Sequence, residues 1–511
     1  MNYLKKNEFK FSKGIFISLI IIGIISLVLR LYNFPYNIPL VLDAFNGYFL
    51  YATDVSIIGN LPSWSITNIG WPIFLSFFFS IFHFDNILDY MNLQRIITVV
   101  ISTLTIIPVY FLCRKFFSNS LSIIGVLLFA FEPHMIQHSI LGLTDTLYIL
   151  LIISSFLLIQ SSNKKLVYFS FVIAALSALV RYEGLLFLIV LTVIFFIRFR
   201  KESKVILNYI LAFGIYVLAL LPILLIRIHD TGDDGLISHV IGGAKVTTAI
   251  ASSQSDVSPD LTTFLIIGFQ NLIKYTGWVM IPYFVIFAPI GLILGIKKKN
   301  PQYFYVIISI IILSIPSLYA YSREIQDTRY LLVLMPFFTI LSLFLIEYIS
   351  NKTNRRKLFF IIFIIIIFIS SCTFLEIKKV DLEHEREAVA ISQEVMKLTK
   401  VTNVYLPESK YLKTASIDNN FPVIKNNTIT ETRTLNINNL SIIDFIKNNE
   451  KNNITHIVVD DNTEFENLNN LFLNDEKYPY LIKVYDSLEH GFKYHVKIYK
   501  IDYQQIIENF N

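Results

Sequence analysis

The feature that most limits what this chain can become is a series of long Ile, Leu, Phe and Val runs, broken by short basic stretches. A bilayer-spanning helix needs ~20 mostly apolar residues, because hydrocarbon offers the backbone no hydrogen-bond partners outside the helix itself. Such runs lie near 14–31, 93–112, 121–135, 144–160, 166–180, 184–197, 205–226, 277–296, 303–319, 330–349 and 358–374. They predict a mainly α, polytopic helical membrane protein with about 11 transmembrane helices. Two further apolar stretches, 71–82 and 261–272, are only about 12 residues long and read as interfacial or re-entrant helices. The first apolar run has no small-residue cleavage site after it and reads as a start-transfer helix rather than a cleaved signal.

The basic residues divide the connections into two alternating sets. One set holds Lys5, Lys6, Lys10 and Lys13; Arg114 and Lys115; Lys164 and Lys165; Arg198, Arg200, Lys201 and Lys204; Lys297, Lys298 and Lys299; and Lys352, Arg355, Arg356 and Lys357. The other set is nearly free of Lys and Arg, and the loop 43–92 has none. Cytoplasmic loops carry the excess of Lys and Arg. The pattern therefore predicts a multi-pass cell-membrane protein with a cytoplasmic N-terminus, a first external loop at about 32–92, and an extracytoplasmic C-terminal domain.

Only 16% of the residues are charged, against about 25% in soluble domains. The two cysteines, Cys113 and Cys372, exclude a disulfide framework and a Cys-based zinc or iron–sulfur site. There is no Gly-rich phosphate loop and no basic nucleic-acid patch. Composition changes near Glu376, where Asn, Lys and Glu rise. The chain thus divides into a transmembrane domain, 1–375, and a soluble α/β domain, 376–511. In the latter, 381–400 reads as a helix, 403–406 and 456–460 as strands, and 480–486 with 494–501 as a hairpin across His490-Gly491. Sequons at Asn426, Asn439 and Asn453 fit an external location, although the segment is rich enough in Asn for chance matches.

Ionisable residues at membrane depth are costly and usually functional. On the external side the expected topology gathers Asp43 and Asp54 after the first span and Arg95 at the start of the second. Glu132, His134, His138 and Asp145 lie between the third and fourth. Arg181 and Glu183 form a turn between the fifth and sixth, and Arg323, Glu324, Asp327, Arg329 and Tyr330 lead into the tenth. Each has a plain alternative: Asp43 as an N-cap, Arg95 and Arg329 as snorkelling anchors, Arg181 and Glu183 as a simple ion pair. As a set at one depth they suit an amphiphilic substrate. Asp43 and Asp54, 11 residues apart, would share a helix face about three turns apart. His134 and His138, four apart, suit a metal only if their connection is helical. The loop 227–261, with Gly232, Gly235, Gly242 and Gly243, is either a substrate-closing segment or an ordinary external loop.

Several segments, in order, resemble the GT-C membrane glycosyltransferases, especially the protein-mannosyltransferase and RgtA-B-C-D-like group that uses polyprenyl-phosphate sugars. VLDAFNGYFLYATD (41–54) is similar to that family's acidic first external loop, and WPIFLSFFFSIF (71–82) to its re-entrant part. LQRIITVVISTLTIIPVYFLCRKFF (93–117) is similar to the second span and FEPHMIQHSILGLTDTLYILL (131–151) to the second external loop. ALVRYEGLLFL (178–188) resembles the Arg-x-Glu-Gly turn, and DTRYLLVLMP (327–336) the late Arg-Tyr element. The chain departs from the family in having Ala44 after Asp43, and from oligosaccharyltransferases in lacking a WWD-type motif.

The resemblance implies an inverting hexosyl- or pentosyltransferase that moves one sugar from a polyprenyl-phosphate donor to a glycan, lipid or protein acceptor at the outer membrane face. Asp43 would be the catalytic base. Arg181, Arg329 and Arg95 would bind phosphate. Asp145, with Glu132 or His138, would orient the acceptor or hold a divalent cation such as Mg or Mn. Glu183 and Tyr330 would complete the substrate site, with Asp54 a secondary candidate. The alternatives are an oligosaccharyltransferase-like enzyme and a flippase of lipid-linked saccharides. A transporter needs polar residues through the membrane midplane, whereas here they gather at one face.

Overall fold

The computed structural model describes residues 12–41, 43–59, 61–62, 66–84, 86–252, 261–298, 300–379, 382–398, 404–405, 440–448, 454–461 and 466–510. The sequons at Asn426, Asn439 and Asn453, and Lys5, Lys6, Lys10 and Lys299, lie outside these. The chain forms two compact units: residues 1–34, 61–77 and 94–379, and residues 35–60, 78–93 and 380–511.

The helices of the membrane-embedded region are α1 (Lys13–Tyr32), a π-helical turn (Ala44–Phe49) running into α2 (Leu50–Ile58), α3 (Gly70–Ile81), α4 (Ile87–Leu104), α5 (Ile106–Arg114), α6 (Asn119–Ala130), α7 (Pro133–Ser139), α8 (Asp145–Leu158), α9 (Lys164–Val180) and α10 (Gly184–Phe199). They continue with α11 (Val205–Thr231), α12 (Ile237–Ser252), α13 (Leu261–Val279), α14 (Phe284–Lys297), α15 (Pro301–Leu313), α16 (Ile315–Ser322), a 3-10 turn (Thr328–Leu334), α17 (Met335–Lys352) and α18 (Arg356–Ile377). Among the described residues, six helical segments are individually long and apolar enough to cross a membrane, and eight if α6–α7 and α13–α14 each count as one bent span. The shorter apolar helices α3, α8 and α10 fall below that length, so the expected eleven is not reached by this measure.

Burial separates the centre from the rim. The apolar window of the segment ending in α17 is 83% buried, whereas those of α11 and α18 are 17% and 22% buried. Ile206, Leu207 and Ile210 on α11 are more than half exposed, as helix faces in lipid must be. Packing against α17 depends on Gly291 in α14, while Gly295 one turn later makes room for the Tyr303 ring of α15. A Cβ on Gly291 would sit 1.8 Å from the Leu341 carbonyl oxygen, so the two backbones meet where any side chain would intrude.

Two expectations are corrected here. The stretch 261–272 is longer than the short interfacial or re-entrant helix expected: α13 extends to Val279 and meets α14 at 109°, a bend that fits a broken span or a re-entrant segment, so the span expected at 277–296 begins at Phe284. The segment 227–261 is not simply a loop. Helix α11 continues to Thr231, stops at left-handed Gly232, and α12 begins at Ile237. Gly235 is required between them, because φ is +62° and a Cβ would strike the buried Arg227 guanidinium at 1.8 Å.

In the second unit, the C-terminal segment contains α19 (Leu382–Leu398), β1 (Val404–Tyr405), α20 (Ile442–Asn448), β2 (His456–Asp460), α21 (Glu466–Leu473), β3 (Leu481–Asp486), β4 (Val496–Ile501) and α22 (Tyr503–Phe510). The sheet order is β1-β2-β4-β3, parallel between β1 and β2 and antiparallel elsewhere. Alternation along β2 sorts the core: Ile457 and Val459 pack with Phe445 of α20 and Leu468 of α21, while Val458 faces Ile391 of α19. Helices therefore cover both faces. Glu387 of α19 accepts hydrogen bonds from the Lys493 and Tyr494 backbone N–H groups at 2.9 and 2.8 Å, fastening the helix to the hairpin.

Candidate functional site

The turn from α9 to α10 builds the centre of the site. Arg181 leaves α9 in an extended conformation, and two residues later Glu183 precedes α10. Gly184 makes the turn possible: a Cβ there would lie 2.8 Å from both the Ser177 carbonyl carbon and the Ala178 nitrogen. The tight turn places both carboxylate oxygens of Glu183 on the Arg181 guanidinium, Nη2 to Oε1 at 2.7 Å and Nε to Oε2 at 3.3 Å. Arg181 Nη1 also donates to Oδ1 of Asp145, which opens α8. A carboxylate in the first helical turn is favoured by the backbone dipoles.

All three side chains are nearly buried, at 11%, 4% and 5% exposure for Arg181, Asp145 and Glu183. One guanidinium thus serves two carboxylates, and the cluster carries one excess negative charge. Among the described residues, Oδ2 of Asp145 accepts no hydrogen bond. It is a buried acceptor able to take a donated proton from a ligand. The Arg181 guanidinium also lies over the rings of Tyr148 and Tyr330, 5.8 and 5.5 Å from their centroids.

Arg329 stands across this cluster on the 3-10 turn. Asp327 caps that turn by accepting the Arg329 backbone N–H at 2.9 Å and also bonds the guanidinium at 2.6 Å. The pair is about one quarter exposed. Asp145, Tyr148, Arg181, Glu183, Arg329 and Tyr330 line a common recess of roughly 300 Å³, open solvent included, completed by Ile149, Leu313, Pro316 and Val333. His138 on α7 lies within electrostatic reach of Asp145, Arg181, Asp327 and Arg329. Trp71 Nε1 and Gln94 Nε2 both donate to the Gly142 carbonyl, at 3.3 and 2.7 Å, and fix the approach to α8.

The break between α6 and α7 is the second polar centre. Where a span breaks, carbonyls lose their helical donors, and hydrocarbon supplies none. Arg30, in the last turn of α1 and wholly buried, donates from Nη1 to the Ala130 carbonyl at 3.1 Å, and the Tyr283 hydroxyl, 2.6 Å from the Ile367 carbonyl, lies 3.2 Å from that of Phe131. Arg30 also bonds the Ser26 carbonyl, Ser26 Oγ and Ser102 Oγ. Glu132, equally buried, accepts the Met135 N–H at 2.7 Å and caps α7. The two charges act on one another. The break is therefore flanked by a guanidinium donor at the carbonyl end of α6 and a carboxyl acceptor at the amide end of α7, which serve the backbone groups each helix end leaves unpaired. Arg30 is absent from the sequence-derived set; its only signal is a lone Arg in a 20-residue apolar helix.

The remaining candidates separate. Asp43 belongs to the second unit. It is exposed, has helical backbone angles and makes no capping hydrogen bond, so the N-cap alternative is set aside. Asp54 is 3% exposed, not a solvated position. It does not share Asp43's environment, because the π-helical turn at 44–49 has more residues per turn and shifts the face. Arg95 is buried in α4, one turn before Thr98, which donates to the Ser139 carbonyl at 2.7 Å. The connection carrying His134 and His138 is helical, but His134 packs against Phe374 and Trp278. Among the described residues no three His, Cys, Asp or Glu side chains gather in a metal-holding group. With Glu183 and one oxygen of Asp145 engaged by Arg181, these residues do not fit a divalent cation.

A helical membrane unit with this polar recess, joined to a small α/β unit, defines a polytopic membrane protein of GT-C-like fold. The chain belongs to the family described as predicted membrane protein (DUF2079), whose model matches residues 91–428. No curated protein sequence matches it. Among solved structures it is similar to the Archaeoglobus fulgidus oligosaccharyltransferase tethered to an acceptor peptide containing the NVT sequon. That match has a TM-score of 0.54 and 14% identity, covering 90% of this chain and 70% of that one. The same archaeal enzyme in complex with Zn and sulfate matches with a TM-score of 0.53 and 14% identity, over 87% and 68%. Its complex with an inhibitory peptide and a dolichol-phosphate matches with a TM-score of 0.50 and 14% identity, over 90% and 70%. At this identity the likeness establishes the fold alone.

Proposed function

We propose that this protein transfers a sugar from a polyprenyl-phosphate carrier to an acceptor hydroxyl at the outer membrane face, with inversion. The observation that carries the reading is the Asp145–Arg181–Glu183 cluster opening on a recess beside Arg329 and Tyr330. The phosphate leaves readily, so the reaction needs a base for the acceptor hydroxyl and positive charge for the departing oxygen. The acceptor oxygen forms a bond to the anomeric carbon as the bond to the phosphate oxygen breaks. The hydroxyl proton passes to a carboxylate base, a role for which Asp43 is the candidate the family resemblance supplies, and the lipid phosphate leaves as the anion.

Arg329, more open than Arg181 and paired with Asp327, is the better phosphate ligand. Arg181, engaged on both sides, holds Asp145 and Glu183 in place, and the uncommitted Asp145 oxygen accepts a sugar hydroxyl. In this reading α8, α9 and α10 also cross while α3 stays re-entrant, giving eleven spans, a cytoplasmic N-terminus and an external C-terminal domain, as the basic loops require. Labelling of a cysteine placed at Lys297 from outside intact cells would refute that orientation.

A second reading, transfer of a preassembled oligosaccharide, is favoured by the archaeal fold relatives, one of which binds dolichol-phosphate. Purified protein incubated with a panel of polyprenyl-phosphate sugars and lipid-linked oligosaccharides separates the two. Mass spectrometry should find free lipid phosphate and an acceptor heavier by one sugar; a heavier increment selects the second reading. No transfer from any donor, with acceptor glycans, lipids and peptides all supplied, refutes both.

A further inference from the structure

Helices α9 and α10 carry Arg181 and Glu183 at one end. Their other ends, with the start of α11, lie a helix length away, about 25 Å for the 17 residues of α9. There a second recess of about 190 Å³ opens. Its walls are aromatic, from Tyr168, Phe195 and Phe199, and its rim is polar, from Lys164, Glu202 and Asn208. The rim is built: Lys164 Nζ meets Glu202 Oε2 at 2.9 Å, and Asn208 Nδ2 donates to the same oxygen at 3.1 Å. The recess is an open surface cleft rather than an enclosed cavity, so a headgroup would lie on it rather than inside it.

The surroundings say what would enter. Lys165 follows Lys164 in the chain, Arg200, Lys201 and Lys204 flank Glu202, all four are exposed, and Glu202 is the only acid in segments 162–165 and 199–205. Phe169, next in the chain to Tyr168, and Ile206, two residues before Asn208, present exposed apolar surface, at 48% and 67%. A cationic mouth, an aromatic wall and an adjoining lipid-facing surface match a molecule with an anionic head and acyl chains. Basic pockets between spanning helices are where such headgroups bind. We infer that this end of α9, α10 and α11 holds one anionic phospholipid, its phosphodiester on Lys164, Lys165 and Lys204 and an acyl chain along Tyr168, Phe199 and Ile206. This site is independent of the sugar-transfer reading.

The test is native mass spectrometry of the full-length detergent-purified protein, titrated with phosphatidylglycerol and, separately, phosphatidylcholine. One phosphatidylglycerol should be retained in preference to phosphatidylcholine, and millimolar inorganic phosphate should not displace it. Each cation near an anionic headgroup is worth about fivefold in affinity, so Lys164→Gln/Lys165→Gln/Lys204→Gln should weaken retention by about a hundredfold. These are exposed positions, and a Lys→Arg triple variant should retain the lipid, which separates charge loss from misfolding. Removing two distant exposed cations, Lys297→Gln/Lys298→Gln, should leave retention unchanged. Equal retention of the two lipids, an unaffected Gln triple variant, displacement by inorganic phosphate, or equal loss in the Lys297/Lys298 variant would each overturn the site.

Discussion

Replacing Arg30 by Met tests whether the α6–α7 break is held by charge. Met keeps length and suits an apolar helix, but it removes the donors to the Ala130 and Ser26 carbonyls and to Ser102 Oγ, at 3.1, 3.2 and 3.0 Å. The fully buried Glu132 also loses its neighbouring guanidinium. A buried polar group left without its hydrogen-bond partner costs about 1–3 kcal/mol; Ala130 keeps the Ser26 hydroxyl as a donor. Equilibrium unfolding in mixed dodecylmaltoside–SDS micelles should therefore show Arg30→Met less stable by about 1–3 kcal/mol. Glu132→Gln keeps an acceptor for the Met135 N–H, so the double variant reads the coupling between Arg30 and the Glu132 carboxyl while the cap persists. The double variant should be more stable than the sum of the singles by about 1 kcal/mol or more. A loss below about 1 kcal/mol in Arg30→Met, or strict additivity, would refute the clamp.

Asp43→Asn should fold and bind donor normally but lose transfer by about 10²–10⁴-fold, the usual worth of general base catalysis; near-normal transfer would move the base elsewhere. Arg181→Ala should destabilise the protein by about 3–5 kcal/mol, because two buried carboxylates lose their cation, and Lys should rescue only in part. Arg329→Ala, at a quarter-exposed pair, should change stability by less than about 1 kcal/mol yet weaken donor binding by about 10- to 100-fold, measured by titration with labelled polyprenyl-phosphate sugar. If the two Arg variants behave alike in both assays, the division between positioning and phosphate binding fails. Gly291→Ala should cost at least about 1–3 kcal/mol in the same micellar unfolding assay, because the new methyl meets the Leu341 backbone rather than a yielding side chain; a neutral result would remove the close α14–α17 approach.

Much was legible in the chain itself. The runs at 14–31 and 358–374 became Lys13–Tyr32 and Arg356–Ile377, and the strand at 456–460 and the hairpin across His490-Gly491 are present. An apolar run becomes a helix because its backbone has no other partner in hydrocarbon, which is a property of the segment alone. The Arg181-x-Glu183-Gly184 turn was legible for a similar reason: the ion pair spans two residues and its glycine is demanded locally.

What the sequence by itself determined, then, is the helical class, most helix positions, the basic and non-basic connections and the composition of the polar set. Only the tertiary structure decided that Asp145 completes the Arg181 cluster, that Arg30 reaches 100 residues forward to Ala130, that α13 turns through 109°, and that Asp54 is buried while Asp43 is not. In water, a polar face tells which side of a helix points outward. In a bilayer the surroundings are as apolar as the core, so hydropathy loses that directional signal and partner choice passes to close packing and a few hydrogen bonds. Those are relations between distant segments, which no single stretch of the sequence contains.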